Sequence, residues 1–201
     1  MSSIDASTTR DSGKTAPESG HPPPPPLVNF FGVDFVLRLL LFASTISALV
    51  VMVTSKQTKL IPTSLSPPFP AYVSRAAKFN HSPAFIYMVA ALVVTCFYSI
   101  ITMFTSAFVI SNPFPSTKML FNMILFDALM AGIMASATGA TGGVAYIGLK
   151  GNSHVNWNKI CNVYDKFCRH IGASALVSLI ASIILVILVI VSSYSLYRRS
   201  R

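Results

Sequence analysis

The sequence predicts an all-α membrane protein, a four-transmembrane-helix bundle preceded by a disordered N-terminal tail, and three observations carry that prediction. Of 201 residues, 53% are hydrophobic and 10% are charged, against roughly 25% charged in an ordinary soluble domain. Four separate stretches are mostly apolar over about 20 residues or more, the length a helix needs to cross a hydrocarbon core of ~30 Å. Backbone polar groups find no partner in lipid, so each stretch must satisfy them internally as a helix.

Residues 1–30 are read as the tail. The first 26 are rich in Ser, Thr, Pro and Gly and hold almost no large apolar side chains, so ordering them would recover too little buried surface. They lack the apolar, small-residue pattern of a cleaved signal peptide. Pro22 to Pro26 read as a short polyproline II spacer. The membrane domain covers residues 31–197, with spans near 35–54, 84–110, 119–143 and 171–194, and Pro83 breaks the chain just before the second. A loop of about 29 residues, a tight one around Asn112 to Lys118 and a third near Val144 to His170 connect them, and 198–201 is a basic tail.

Four crossings put both termini on one side, and the Lys and Arg of short loops ordinarily say which. Here that guide is equivocal. The tails, the tight loop and Arg38 carry seven such residues, and the other two loops carry eight. The formal charge of +9 does not indicate nucleic acid, because the cations sit scattered at the edges of hydrophobic runs without a basic stripe or zinc-finger spacing. The lipid bilayer, through its anionic headgroups, is the expected counter-charge.

Charges inside spans are costly and turn towards a partner or a cavity. Arg38 lies about one turn inside the first span and Asp127 about two turns inside the third. Odd-numbered spans enter from the same side, so the depths of the two differ by only ~7 to 8 Å, within reach of an arginine side chain. An intramembrane ion pair that fixes helix register is the favoured reading. The alternative is a channel or transporter that uses the pair as an ion path or proton relay, and Arg38 has the further option of snorkelling to the interface. Asp34, by contrast, is placed before the first apolar run.

Asp127 also heads a series of small residues at spacing four, Ala131, Ala135, Gly139 and Gly143, which lets membrane helices approach closely. Packing inside one bundle is favoured over contact between copies. Ser174, Ser178 and Ser182 repeat the device in the fourth span. Cys161 and Cys168, seven apart in the third loop, would be ~10 Å distant on a continuous helix, so a disulfide needs a turn between them. An outward loop favours the bridge and a cytoplasmic one leaves thiols. His154 and His170 lie nearby but match no familiar metal spacing, and no metal or cofactor is expected. Asn80-His81-Ser82 is a formal glycosylation sequon beside the membrane and followed by Pro83, and is expected to go unused.

Enzyme readings find no residue set. A membrane aspartyl protease needs two carboxylates where the spans offer Asp127 alone, and a serine protease needs a base, yet His21, His81, His154 and His170 all fall outside the spans.

From about Phe30 to Tyr197 the chain resembles the plant Casparian strip membrane domain protein-like (CASP-like) family, particularly its first subfamily. The segments FDALMAGIMASATGATGGVAYIGLKGNS (126–153) and VNWNKICNVYDKFCRHIGAS (155–174) carry the resemblance, with Arg38 in VLRLL. It implies a MARVEL-related plasma-membrane protein with cytoplasmic termini, forming a homodimer or higher homo-oligomer and hetero-oligomers with related family members. The characteristic first-span Arg and third-span Asp fall on Arg38 and Asp127, and the paired cysteines of the second extracellular loop on Cys161 and Cys168. The region Ser64 to Ala77 lacks the aromatic and acidic signature of true Casparian strip proteins, so the resemblance is to the CASP-like branch. The function expected is a non-enzymatic scaffold that organises a membrane domain and recruits wall-modifying partners.

Overall fold

The computed structural model describes residues 30–62, 72–111 and 117–200. The tail and its proline run over 1–29 lie outside them. Four long helices dominate: α1 (Phe30–Val53), α2 (Pro83–Ser111), α3 (Thr117–Lys150) and α4 (Asp165–Ser200). Each contains a stretch long and apolar enough to cross a membrane, namely Gly32–Val53, Pro83–Phe108, Lys118–Lys150 and Asp165–Arg198. The chain is therefore a multi-pass membrane protein. In the bundle α1 packs against α2 and α4, and α3 against α4 and, less extensively, α2, so α1 and α3 stand on a diagonal.

The helices outrun the apolar stretches. α1 begins at Phe30, near 35 by hydropathy, α3 runs on to Lys150 past 143, and α4 starts at Asp165 ahead of 171. Hydropathy marks where lipid ends, whereas the backbone ladder continues until something terminates it. At the end of α3 the terminator is Gly151, whose φ of +68° is left-handed and whose N–H bonds the Ile147 carbonyl at 2.7 Å. A Cβ there would come within 2.6 Å of the Trp157 carbonyl oxygen, so only glycine fits. α2 opens on Pro83 itself, whose missing N–H costs nothing in a first turn. At ~1.5 Å per residue α3 is roughly 50 Å long, well beyond a ~30 Å core, so its ends reach out of the apolar layer.

The first connection, read from sequence as a plain loop, contains an antiparallel pair, β1 (Lys56–Pro62) and β2 (Tyr72–Lys78), in the register Lys56↔Lys78 through Pro62↔Tyr72. The pair rests on the start of α4. The Gln57 Oε1 accepts the Phe167 N–H at 3.0 Å, and the Tyr164 hydroxyl donates to the Arg75 carbonyl at 3.2 Å. Ile61 and Ala77 pack against the core. That core runs through the bundle as Leu41, Met52, Met88, Leu92, Met134 and Leu185. It claims unequal shares of the helices: over an 18-residue apolar stretch, 39% of the residues of α4 are buried but only 17% of those of α3. Most of α3 thus faces outward.

Candidate functional site: an intramembrane ionic cluster

On α1, Asp34 and Arg38 are four residues apart and so share a face. The Arg38 Nε donates to Asp34 Oδ2 at 2.9 Å. The two terminal nitrogens of Arg38 cross the bundle to α3, Nη1 to Asp127 Oδ1 at 3.3 Å and Nη2 to Asp127 Oδ2 at 3.1 Å. This is the two-pronged fork a planar guanidinium makes with a carboxylate. α2 closes the cluster at both ends, the Tyr98 hydroxyl donating to Asp127 Oδ1 at 2.6 Å and the Ser106 hydroxyl to Asp34 Oδ2 at 2.7 Å.

Burial makes this arrangement necessary. Arg38 is 1% exposed and Asp127 fully buried, and a lone charge there would cost several kcal/mol. Arg38 lies eight residues from the start of α1 and Asp127 ten from the start of α3, a difference of only about 3 Å along the axes. The expected pair is thus brought together at nearly one depth. Sequence reasoning missed Asp34, because hydropathy placed it before the first span. The i, i+4 spacing to Arg38 was the available signal. It missed Tyr98 and Ser106 for a different reason: both read as ordinary span residues, and nothing local shows that they share a face towards the cluster. One cation therefore serves two carboxylates, and the outer one, Asp34, keeps 16% of its side chain exposed.

The small-residue series on α3 needs correcting. Ala131 is buried beside Asp127, but Ala135, Gly139 and Gly143 are exposed. A Cβ placed on Gly139 or Gly143 would meet nothing within 4 Å, so they are not intramolecular packing positions. The reason is helical drift: each four-residue step advances about 400°, and four steps carry the series roughly 160° round the helix. The inward line instead steps by sevens through Leu120, Asp127, Met134 and Thr141, a spacing that drifts only ~20° per step. In α4 the shorter serine series stays inside. Ser174 donates to the Ala48 carbonyl at 2.8 Å and Ser178 accepts from the Thr138 hydroxyl at 3.1 Å.

Cys161 and Cys168 are joined by a disulfide with Cα atoms 5.7 Å apart. A short 3₁₀ turn at Ile160–Asn162 precedes the first turn of α4 and supplies the change of direction that a continuous helix would not. Cys96 is free. Among the described residues no three His, Cys, Asp or Glu side chains stand together as a metal site.

The model of the Casparian strip membrane protein domain matches residues 29–184. The chain belongs to that family. The match spans Asp34, Arg38, Tyr98, Ser106 and Asp127 together with both bridged cysteines. Among similar proteins, a CASP-like protein 1D1 from Musa acuminata is 70% identical over 94% of this chain and 97% of its own length. The CASP-like protein 1D1 of Oryza sativa subsp. japonica is 52% identical over the whole of both chains. That of Vitis vinifera is 56% identical over 86% of this chain and 81% of its own. No solved structure matches. The family, its first CASP-like subfamily and the four-helix membrane architecture agree with the resemblance read from residues 126–174 and Arg38.

Proposed function

We propose that this CASP-like protein is a non-enzymatic plasma-membrane scaffold whose copies associate side by side through the outward face of α3, forming homo-oligomers and hetero-oligomers with related chains and recruiting wall-modifying partners. The observation that carries the reading is the exposure of Gly132, Ala135, Gly139, Ala140 and Gly143 on the least buried of the four helices. Small side chains on a lipid-facing helix surface let two backbones approach closely, gaining dispersion contacts and weak backbone hydrogen bonds that lipid tails replace poorly. The ionic cluster has the complementary task of holding α1, α2 and α3 of one chain in fixed register, so that every copy presents the same face.

The orientation that goes with this reading has both termini in the cytoplasm. A disulfide persists in an oxidising compartment, which favours the Cys161–Cys168 end as the outer one. The test is chemical crosslinking in native membranes, under conditions that capture a known oligomer. Discrete dimers and larger species are expected, weakened at least tenfold by Gly139→Leu with Gly143→Leu. A monomer throughout would contradict the proposal.

A further inference from the structure

The end of the bundle opposite the ionic cluster holds a cavity of about 400 Å³, within the size range of small-ligand sites. Its wall is apolar: Phe85 from the first turn of α2, Ala145 and Leu149 from the end of α3, Phe167 and Ile171 from α4. The Phe85 and Phe167 rings meet edge to face with centroids 6.1 Å apart. The Cys161–Cys168 disulfide belongs to the same wall and ties the loop to α4. Gly172 also lines it, and a Cβ there meets nothing within 4 Å. The cavity lies where the apolar span of α2 begins, at Pro83, the part of a span at which acyl chains give way to headgroups.

The mouth is basic. Lys78, His81 and Ser82 line it, and Lys78 stands directly opposite Lys56 in the β1–β2 register. Like charges opposed across an antiparallel pair destabilise it, and the segment from Lys56 to Lys78 contains no Asp or Glu to relieve them. Neither Lys56 nor Lys78 takes part in the ion pairs of the ionic cluster, which join Arg38 to Asp34 and Asp127. The one carboxylate of this end, Asp165, lies near the Gln57 side chain at 3.5 Å. An apolar cavity with an uncompensated cationic pair at its mouth is complementary to an amphiphile with an anionic head.

We propose that this cavity holds an acyl tail of an anionic phospholipid from the surrounding leaflet, with the phosphate at Lys78 and Lys56. The tail gains the apolar wall, and the phosphate relieves the opposed lysines. The test is native mass spectrometry of the full-length protein in detergent, offered phosphatidylglycerol or phosphatidylcholine with the same chains. Phosphatidylglycerol should be retained preferentially. Lys56→Gln and Lys78→Gln, both exposed and remote from the core, should each lower that preference about fivefold. Gly172→Leu should fill the cavity and abolish retention of the bound lipid. Glycerol 3-phosphate, which has the head without the tail, should not compete. Equal retention of the two lipids, a preference unmoved by the double lysine variant, retention undiminished by Gly172→Leu, or displacement by glycerol 3-phosphate would each overturn the proposal.

Discussion

The two faces of α3 meet different demands: one must partner a buried charge, and the other carries most of the helix's exposed small residues. The inward face steps by sevens through Leu120, Asp127, Met134 and Thr141. It combines bulky side chains with one carboxylate that needs partners. The outward face sets Gly132, Ala135, Gly139, Ala140 and Gly143 among larger exposed side chains such as Leu125, Leu129 and Tyr146. In water the apolar, close-packing residues would be expected inside. In lipid both faces meet an apolar medium, so hydrophobicity does not sort them. What sorts them is which residue would be intolerable outside, and that residue is Asp127. Its need for Arg38 and Tyr98 rotates α3 until the small residues point away.

Breaking the inward face at its charge should have the largest effect. Arg38→Ala strands two carboxylates and Asp127→Ala removes the diagonal tie, each costing about 3–5 kcal/mol. The expected outcome is loss of folded protein at the membrane, measured by accumulation and by unfolding in mixed micelles. The charge swap Arg38→Asp with Asp127→Arg should restore part of that loss. If each single variant accumulates normally, the cluster does not set the fold.

Tyr98→Phe keeps the ring and removes one hydrogen bond to a buried carboxylate, so a loss of about 2 kcal/mol is expected in the same unfolding assay. Met134→Ala should be milder, about 1–2 kcal/mol. Lipid replaces water as the reference for the exposed side chain, leaving chiefly the cavity contribution. The outward face supplies the smallest stability effect and the sharpest contrast. Gly139→Leu should change the stability of a single chain by less than about 0.5 kcal/mol, because a side chain there meets open space, while weakening association between copies.

The same contrast explains what was legible in the sequence. The four spans announce themselves because apolar runs of that length have few other uses. Arg38 and Asp127 stand out as charges amid those runs, and odd-numbered spans bring them to one half of the membrane. Asp34 stayed hidden because hydropathy does not see that α1 is already helical at Phe30. The series from Asp127 to Gly143 misled because spacing four matches the helix locally and drifts from it over five members. The β1–β2 pair left no trace, since Lys56, Lys59, Arg75 and Lys78 break the apolar alternation that marks strands, and Lys59 stands opposite Arg75 just as Lys56 stands opposite Lys78. The disulfide of Cys161 and Cys168 depended on a turn whose position spacing alone does not give.

The most direct measurement compares two cysteines at one depth on the two faces of α3. In a Cys96→Ser background, Ala137→Cys places a thiol at a fully buried position, and Gly139→Cys places one two residues on, at an exposed position. Oxidation in native membranes should give a covalent dimer with Gly139→Cys and monomer with Ala137→Cys. Monomer from both, or equal dimer from both, would contradict the assignment of the outward face of α3 to contact between copies.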